Sequence, residues 1–191
     1  WNFKNVISPF SRLWLILGGR AQVRHHGREF ILKPGGLHLV PPFTAHDCFC
    51  ASRLDHYHLH FVSRLPAGVD LFSLLDCAFQ LPASPETHPY FQRLEALHPD
   101  RKLPCYDPGR DEYRSFPISS EFDRPHLSTA SWFETNGLLT LLLAPFLKTA
   151  QVHEGVHARV TRQFLAVQEF IHEHIRELIL LGDMARAANL H

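Results

Sequence analysis

The chain has 191 residues, room for one ordinary domain with a small appendage. Hydrophobic residues make up 45% and charged residues 20%, a globular balance that excludes a disordered chain. Lys and Arg total 19 and Asp and Glu total 19, so there is no basic surplus with which this chain would grip a nucleic-acid backbone. The apolar run Leu138 to Leu143 falls far short of the roughly 20 residues of a membrane span and meets Pro145, so no membrane partner is expected. Trp1-Asn2-Phe3-Lys4 lacks the apolar core of a secretion signal, and without an initiator Met the N-terminus reads as trimmed. Four cysteines (Cys48, Cys50, Cys77 and Cys105) form no C-x-x-C pair and read as reduced, buried thiols of a cytoplasmic protein.

The first sixty residues read as short strands. Ser11 to Leu17 is apolar and followed by Gly18-Gly19; Arg20 to His25 and Arg28 to Leu32 flank His26-Gly27, a hairpin signal. Pro34-Gly35-Gly36 turns the chain, Leu37 to Val40 stops at Pro41-Pro42, and His46 to Cys50 and Asp55 to Val62 complete the set. Strands at this spacing predict an antiparallel sandwich or barrel. On the last strand, alternation puts Tyr57, Leu59 and Phe61 on an apolar face and His56, His58 and His60 on the other. In a small barrel that second face looks either to solvent or into a polar cavity.

From Ser63 to Pro125 the chain is irregular, with a helical turn at Leu71 to Leu75, an amphipathic helix at Glu86 to Leu97 and a loop from Pro104 to Pro125. The period then changes. Trp132, Leu139, Leu142 and Phe146 form one helical row and Leu138 and Leu141 a second, with Pro145 expected to kink or end the helix. A helix with two apolar rows packs on its own domain and on something else. A self-complementary contact with a second copy is therefore expected, carried by Trp132, Leu138, Leu139, Leu142 and Phe146; the alternative is that both rows are buried within one chain. A further helix, Val156 to Ile175, carries the stripe Val160, Phe164, Val167, Ile171 and Ile175, and a short one spans Leu181 to Ala188.

Phe10 to Leu17 with Gly-Gly-Arg, His26-Gly27-Arg28-Glu29-Phe30, Lys33-Pro34-Gly35-Gly36, Val40-Pro41-Pro42 with His46, and His-Tyr-His-Leu-His-Phe stand in an order that resembles the N-terminal cupin barrel of AraC-type transcription regulators. Ala158 to Ile175 resembles the family's linker helix. Asp183 to His191 resembles the first helix and turn of its DNA-binding domain, with Met184 and His191 as departures and Leu180 where a Ser or Thr cap is usual. The resemblance implies an α+β fold, a cupin-like antiparallel jelly-roll barrel followed by C-terminal helices. It implies four segments: residues 1–125 as barrel with an irregular extension, 126–150 as dimerisation helix region, 156–176 as linker helix, and 177–191 as the truncated start of a helix-turn-helix. It implies a ligand-sensing, dimerising part of a regulator, not an enzyme and without a cofactor. Its partners would be a small-molecule ligand, with sugars foremost, a second copy, and DNA only in the full-length protein.

The candidate ligand site gathers His46, Cys48, His56, His58 and His60. In the family's sugar sensors the matching strand faces line the pocket, and an imidazole offers a sugar one donor, one acceptor and a ring face. Two other readings stay open for the same residues: a partly solvated polar interior, and a cupin-like metal site of an isomerase or dioxygenase. Against metal, three imidazoles at i, i+2 and i+4 spread over roughly 13 Å of strand, and no Glu follows until Glu86. Arg12 and Trp14 share a strand face and join the ligand set, with Trp14 as core the alternative; Lys4 joins it where the family's N-terminal arm reaches the pocket. His153-Glu154-Gly155-Val156-His157 matches H-E-x-x-H literally. Gly155 at a helix start would leave His153 off the helix, so no zinc peptidase is read from it. His172 and His174 diverge on a helix and are expected to be solvated.

Overall fold

The computed structural model describes residues 1–65, 70–99, 101, 107–108, 110, 127–148, 150–152 and 156–190, with backbone alone at 156–161. Most of the Pro104 to Pro125 loop, Cys105 included, His153 to Gly155 and the Val160 side chain lie outside the described residues. The strands are β1 (Asn2–Val6), β2 (Ser11–Gly19), β3 (Ala21–His25), β4 (Arg28–Leu32), β5 (Gly36–Val40), β6 (His46–Phe49), β7 (Leu54–Phe61), β8 (Leu75–Asp76), β9 (Gln80–Pro82) and β10 (Gln151–Val152). The helices are α1 (Thr87–Leu97), α2 (Thr129–Leu147), α3 (Val156–Glu173) and α4 (Leu181–Ala187). The strands expected from sequence form within a residue or two of their bounds. β1, β8, β9 and β10 were not expected: three of them have at most three residues, and β1 is a polar stretch that pairing alone makes a strand.

By packing, the chain divides into two units, Trp1–Val62 with Ala78–Lys148, and Ser63–Cys77 with Thr149–His191. The first holds two antiparallel four-stranded sheets, β1-β6-β3-β4 and β7-β2-β5-β9. This is the jelly-roll layout of the α+β reading. His26 and Gly27 both take positive φ (51° and 68°), as a two-residue hairpin turn requires. Gly19 is needed more strictly: its φ is 79°, and a Cβ there would stand 2.0 Å from the Arg53 carbonyl oxygen.

Strand β2 explains why this segment is so apolar, since Ser11 to Ile16 are buried without a break. One face sends Trp14 and Ile16 into the space between the sheets, where Ala21, Val23, Leu32, Val40, Cys48 and Cys50 meet them. The other face sends out Leu13 and Leu15, also buried, beside Leu37 and Leu39 of β5. Tyr57 shares that outer face and stacks on Phe91 of α1 at 5.6 Å between ring centroids. Helix α2 packs on α1, where Arg93 makes a two-pronged ion pair with Glu134 and His98 hydrogen-bonds Thr135 at 2.9 Å.

Two expectations about α2 change. Pro145 does not stop the helix, which runs to Leu147 with the proline in its last turn. Leu142 and Phe146, expected at an interface with a second copy, are 2% and 0% exposed in the single chain. The exposed row is instead Phe133, Gly137, Leu141 and Ala144, while Trp132, Leu138 and Leu139 are half-buried.

In the second unit β8 pairs with β10, and a 3-10 turn at Leu71–Ser73 is capped by Asp70, whose Oδ1 accepts from the Phe72 amide at 2.9 Å. Helix α3 lies against that turn and against α4. The stripe expected on α3 is only partly covered: Val167 and Ile171 are half-buried, but Phe164 and Ile175 are exposed, Ile175 because the helix ends at Glu173. Leu180 gives α4 no side-chain cap; Asp183 compensates by accepting from the Leu180 amide at 3.2 Å. His172 is exposed, whereas His174 folds back on Phe170 and bonds its carbonyl oxygen at 2.8 Å.

Candidate functional site

The register of the sheets decides which side chains meet. In the pairing of β2 with β7, Arg12 stands opposite His60, Trp14 opposite His58 and Ile16 opposite His56, so all six share the inward face. From the facing sheet, Cys48 stands opposite both Phe3 and Val23, and His46 opposite Val6. These residues enclose a cavity of about 240 Å³ lined by Trp1, Phe3, Val6, Arg12, Trp14, His46, Cys48, His56, His58, His60 and Pro108. A larger depression of about 450 Å³, lined by Leu15 to Leu17, Gly35, Ala83 to Pro85 and His88, is a surface groove with one ionisable side chain and no convergent polar groups. The smaller cavity holds the chemistry.

The structure thus brings together seven of the eight residues expected at the site. Lys4 is the correction: alternation along β1 turns Phe3 toward the cavity and Lys4 out to solvent. The sequence reading missed Trp1, Phe3, Val6 and Pro108. Once β1 is recognised as a strand beside β6, its alternation supplies Phe3; Pro108 had no signal.

Aromatic rings form the cavity's body. Trp1 meets Trp14 edge-on at 5.4 Å and tilts over His56 at 5.8 Å. Trp14 also lies 6.3 Å from the rings of His46 and His56. Trp14 is therefore both core and lining, and the two readings of it are compatible. Arg12 is 3% exposed; its Nη2 donates to Ser8 Oγ at 2.5 Å and its guanidinium carbon sits 4.8 Å from the centre of the Phe10 ring.

The imidazoles here are held neutral. Burial pulls His46 down to about 4, with Arg12 adding to the effect and the Thr44 carbonyl at 3.0 Å opposing it. Burial and then His58 pull His56 to about 4. Burial and then Arg12 lower His60 well below its ordinary value; His58 is lowered by the same two causes, although its ring opens to solvent. Burial pushes the Cys48 thiol up to about 12, so it is no thiolate ligand or nucleophile.

Behind Trp14 lies a second row of imidazoles that the sequence did not reveal. His38, fully buried, stacks on Trp14 at 5.6 Å, its Nε2 lies 3.1 Å from His25 Nε2, and His25 Nδ1 lies 2.8 Å from His26 Nδ1. Among the described residues, His38 Nδ1 has no hydrogen-bond partner. Among the described residues no set of three or more His, Cys, Asp or Glu is placed to hold a metal ion.

Two inward-facing sheets around a cavity with convergent polar groups define a jelly-roll barrel of the cupin type. The chain belongs to the AraC-like ligand binding domain family, whose model matches residues 1–99. It is a ligand-binding domain of the kind found in regulators. No curated protein sequence matches it. Among solved structures it is similar to an ethanolamine utilization protein, EutQ, of Salmonella typhimurium (17% identity, 31% of this chain, 52% of that chain, TM-score 0.28). It is also similar to a glyoxylate-induced protein of Pseudomonas aeruginosa (18% identity, 40% and 27% of the two chains, TM-score 0.31). A third likeness is to the ribosomal oxygenase YcfD of Escherichia coli (11% identity, 87% and 38%, TM-score 0.30). The chain spans about half the length of the first of these (52%) and less of the other two.

Proposed function

We propose that this chain is the ligand-sensing and dimerisation part of a DNA-binding transcription regulator that responds to a sugar or another small metabolite held in the 240 Å³ cavity. The observation that carries the reading is the half-open cavity on the family's ligand-binding barrel, lined by neutral donor-acceptor imidazoles and two indoles. The alternative, a metal-dependent cupin enzyme, is disfavoured by Arg12: a guanidinium amid the imidazoles repels a cation. On this reading α3 is a linker and α4 begins a helix-turn-helix, so operator binding belongs to the longer protein. The second copy docks on the exposed row of α2, with Leu138, Leu139 and Trp132 at its edge.

A thermal-shift screen of sugars and small acids tests the sensing. A ligand at 100 times its Kd raises stability by about 2.7 kcal/mol. His56→Ala and His58→Ala remove that gain and leave the barrel folded. Equal loss of stability with and without ligand would make both residues structural. Phe133→Glu with Leu141→Glu gives a folded monomer in sedimentation if α2 carries the dimer; a dimer of unchanged affinity places the contact elsewhere.

A further inference from the structure

We infer that His26, His25 and His38 form a proton-operated tautomer switch: protonation of the exposed His26 reverses the hydrogen bonds through two buried, neutral rings and changes the face that His38 presents to Trp14, a wall of the 240 Å³ cavity.

The three rings join the turn of the β3–β4 hairpin, in one sheet, to β5 in the other. His26 is exposed, His25 is 4% exposed and His38 is fully buried. His26 Nδ1 lies 2.8 Å from His25 Nδ1, and His25 Nε2 lies 3.1 Å from His38 Nε2. Phe79 stacks on His26 at 4.6 Å and Phe30 on His25 at 4.7 Å, which holds both rings in plane with their partners. His38 stacks on Trp14 at 5.6 Å with 20° between the planes. An apolar side chain would fill the place of His38 without stranding a buried Nδ1. What the imidazole adds is a hydrogen bond between the two sheets.

A neutral imidazole donates at one nitrogen and accepts at the other. His25 is engaged at both, so the chain has a direction. Running outward, His38 Nε2–H donates to His25 Nε2 and His25 Nδ1–H donates to His26 Nδ1. His38 Nδ1 is then a bare lone pair. Running inward, both bonds reverse and His38 Nδ1 carries an N–H with no acceptor among the described residues. Buried orphan N–H groups are rarer than orphan acceptors, so the outward direction is the resting one. A doubly protonated His26 carries N–H at both nitrogens, and its Nδ1 must donate. The chain then runs inward. Before the change each ring holds one N–H proton; after it His26 holds two and the others still one each, the added proton coming from water.

The charge stays at the surface. Burial, then His26 and His46, pulls His25 down to about 3, and burial, then His25 and His46, lowers His38 well below its ordinary value. Around the chain, Arg24 and Glu29 on the hairpin pair with each other at 2.7 Å, and Arg28 stands opposite His25. Strand β6 brings His46 and Asp47, the latter opposite Arg24 and accepting from the Asn5 amide at 2.8 Å. These groups and the other contacts of His26 set the pH at which it titrates. They do not alter the rule that its doubly protonated ring donates.

The test is imidazole 15N NMR of the full chain between about pH 8 and pH 5, across the ordinary histidine value. As His26 titrates, His38 Nδ1 moves from the pyridine-type to the pyrrole-type range and Nε2 moves the opposite way, with the same midpoint. Asn accepts the left-handed backbone of His26 (φ 51°), so His26→Asn keeps the turn and leaves His38 in one tautomer at every pH. In His25→Phe, His26 still titrates and His38 no longer follows. In a chain with Trp1→Phe and Trp132→Phe, the emission of Trp14 shifts at the His26 midpoint, and adding His25→Phe removes the shift. Should the variants fail to fold, the wild-type 15N titration decides alone. A His38 that keeps one tautomer while His26 titrates overturns the switch. So does a His25 or His38 that becomes doubly protonated at that midpoint.

Discussion

The two units bury their apolar residues to very different degrees. In the barrel unit, Leu13, Val23, Leu32, Leu39, Val40 and Phe146 reach zero exposure. In the other unit, Phe72 and Ala188 are the buried apolar residues among those described, while Val152, Phe164, Ile175, Leu178, Leu180, Leu181 and Leu190 are more than half exposed. The same residue types therefore carry different weight. A buried Leu of the barrel unit sits in or beside sheets whose strands hydrogen bonding holds in place. Among the described residues, α4 leans chiefly on α3. The lesson is that local stability follows what surrounds a side chain, so the barrel unit is expected to be the more rigid.

Hydrogen exchange sharpens this contrast most. Amides of β2 and β5 are expected to open only with global unfolding, and those of α3 and α4 to exchange many orders of magnitude sooner. Slow exchange throughout α3 would break the comparison. Next in size, Leu13→Ala should destabilise the barrel by about 2–5 kcal/mol in urea melts, while Phe164→Ala, exposed on α3, stays within about 0.5 kcal/mol. A similar cost at both positions would mean that the surface of α3 is covered in solution. Gly19→Ala comes third: a strained positive φ costs about 1–3 kcal/mol, and the clash with the Arg53 carbonyl adds to it.

Per pH unit and per group, the smallest effect is acid sensitivity. His25 is lowered to about 3, by burial first and then by His26 and His46; His46 and His56 are lowered to about 4. Folded-state values below the ordinary 6.5 mean that the unfolded chain binds more protons. Stability from these imidazoles is therefore complete above about pH 6.5 and is lost as pH falls toward 4, by at most about 1.4 kcal/mol per pH unit for each group. Urea midpoints of the barrel across that range check it. Midpoints independent of pH would show that these rings are not desolvated.

Much of the barrel was legible because its signals are local. Alternation in Asp55 to Val62 put His56, His58 and His60 on one face, and His26-Gly27 and Pro34-Gly35-Gly36 marked turns by backbone chemistry alone. The short partners β8, β9 and β10 were not legible, because two or three residues carry no period and exist only where a neighbour supplies hydrogen bonds. Arg12, Trp14 and the three histidines were assigned to one site from strand parity and resemblance together. The orientation of Lys4 failed because β1 looked like an arm and its parity was unknown.

The sequence by itself determined the class of fold and the faces of the strands, since period two and turn residues act within a few positions of the chain. Tertiary structure alone decided three further things. It joined Phe3 and Val6 to His46 and Cys48 through the pairing of β1 with β6. It buried Leu142 and Phe146 within the single chain, where the helical period alone left them available to a second copy. And it set His38 against Trp14 and His25. Those outcomes depend on contacts between residues dozens of positions apart, and the pattern of either partner alone does not encode which other strand or helix it will meet.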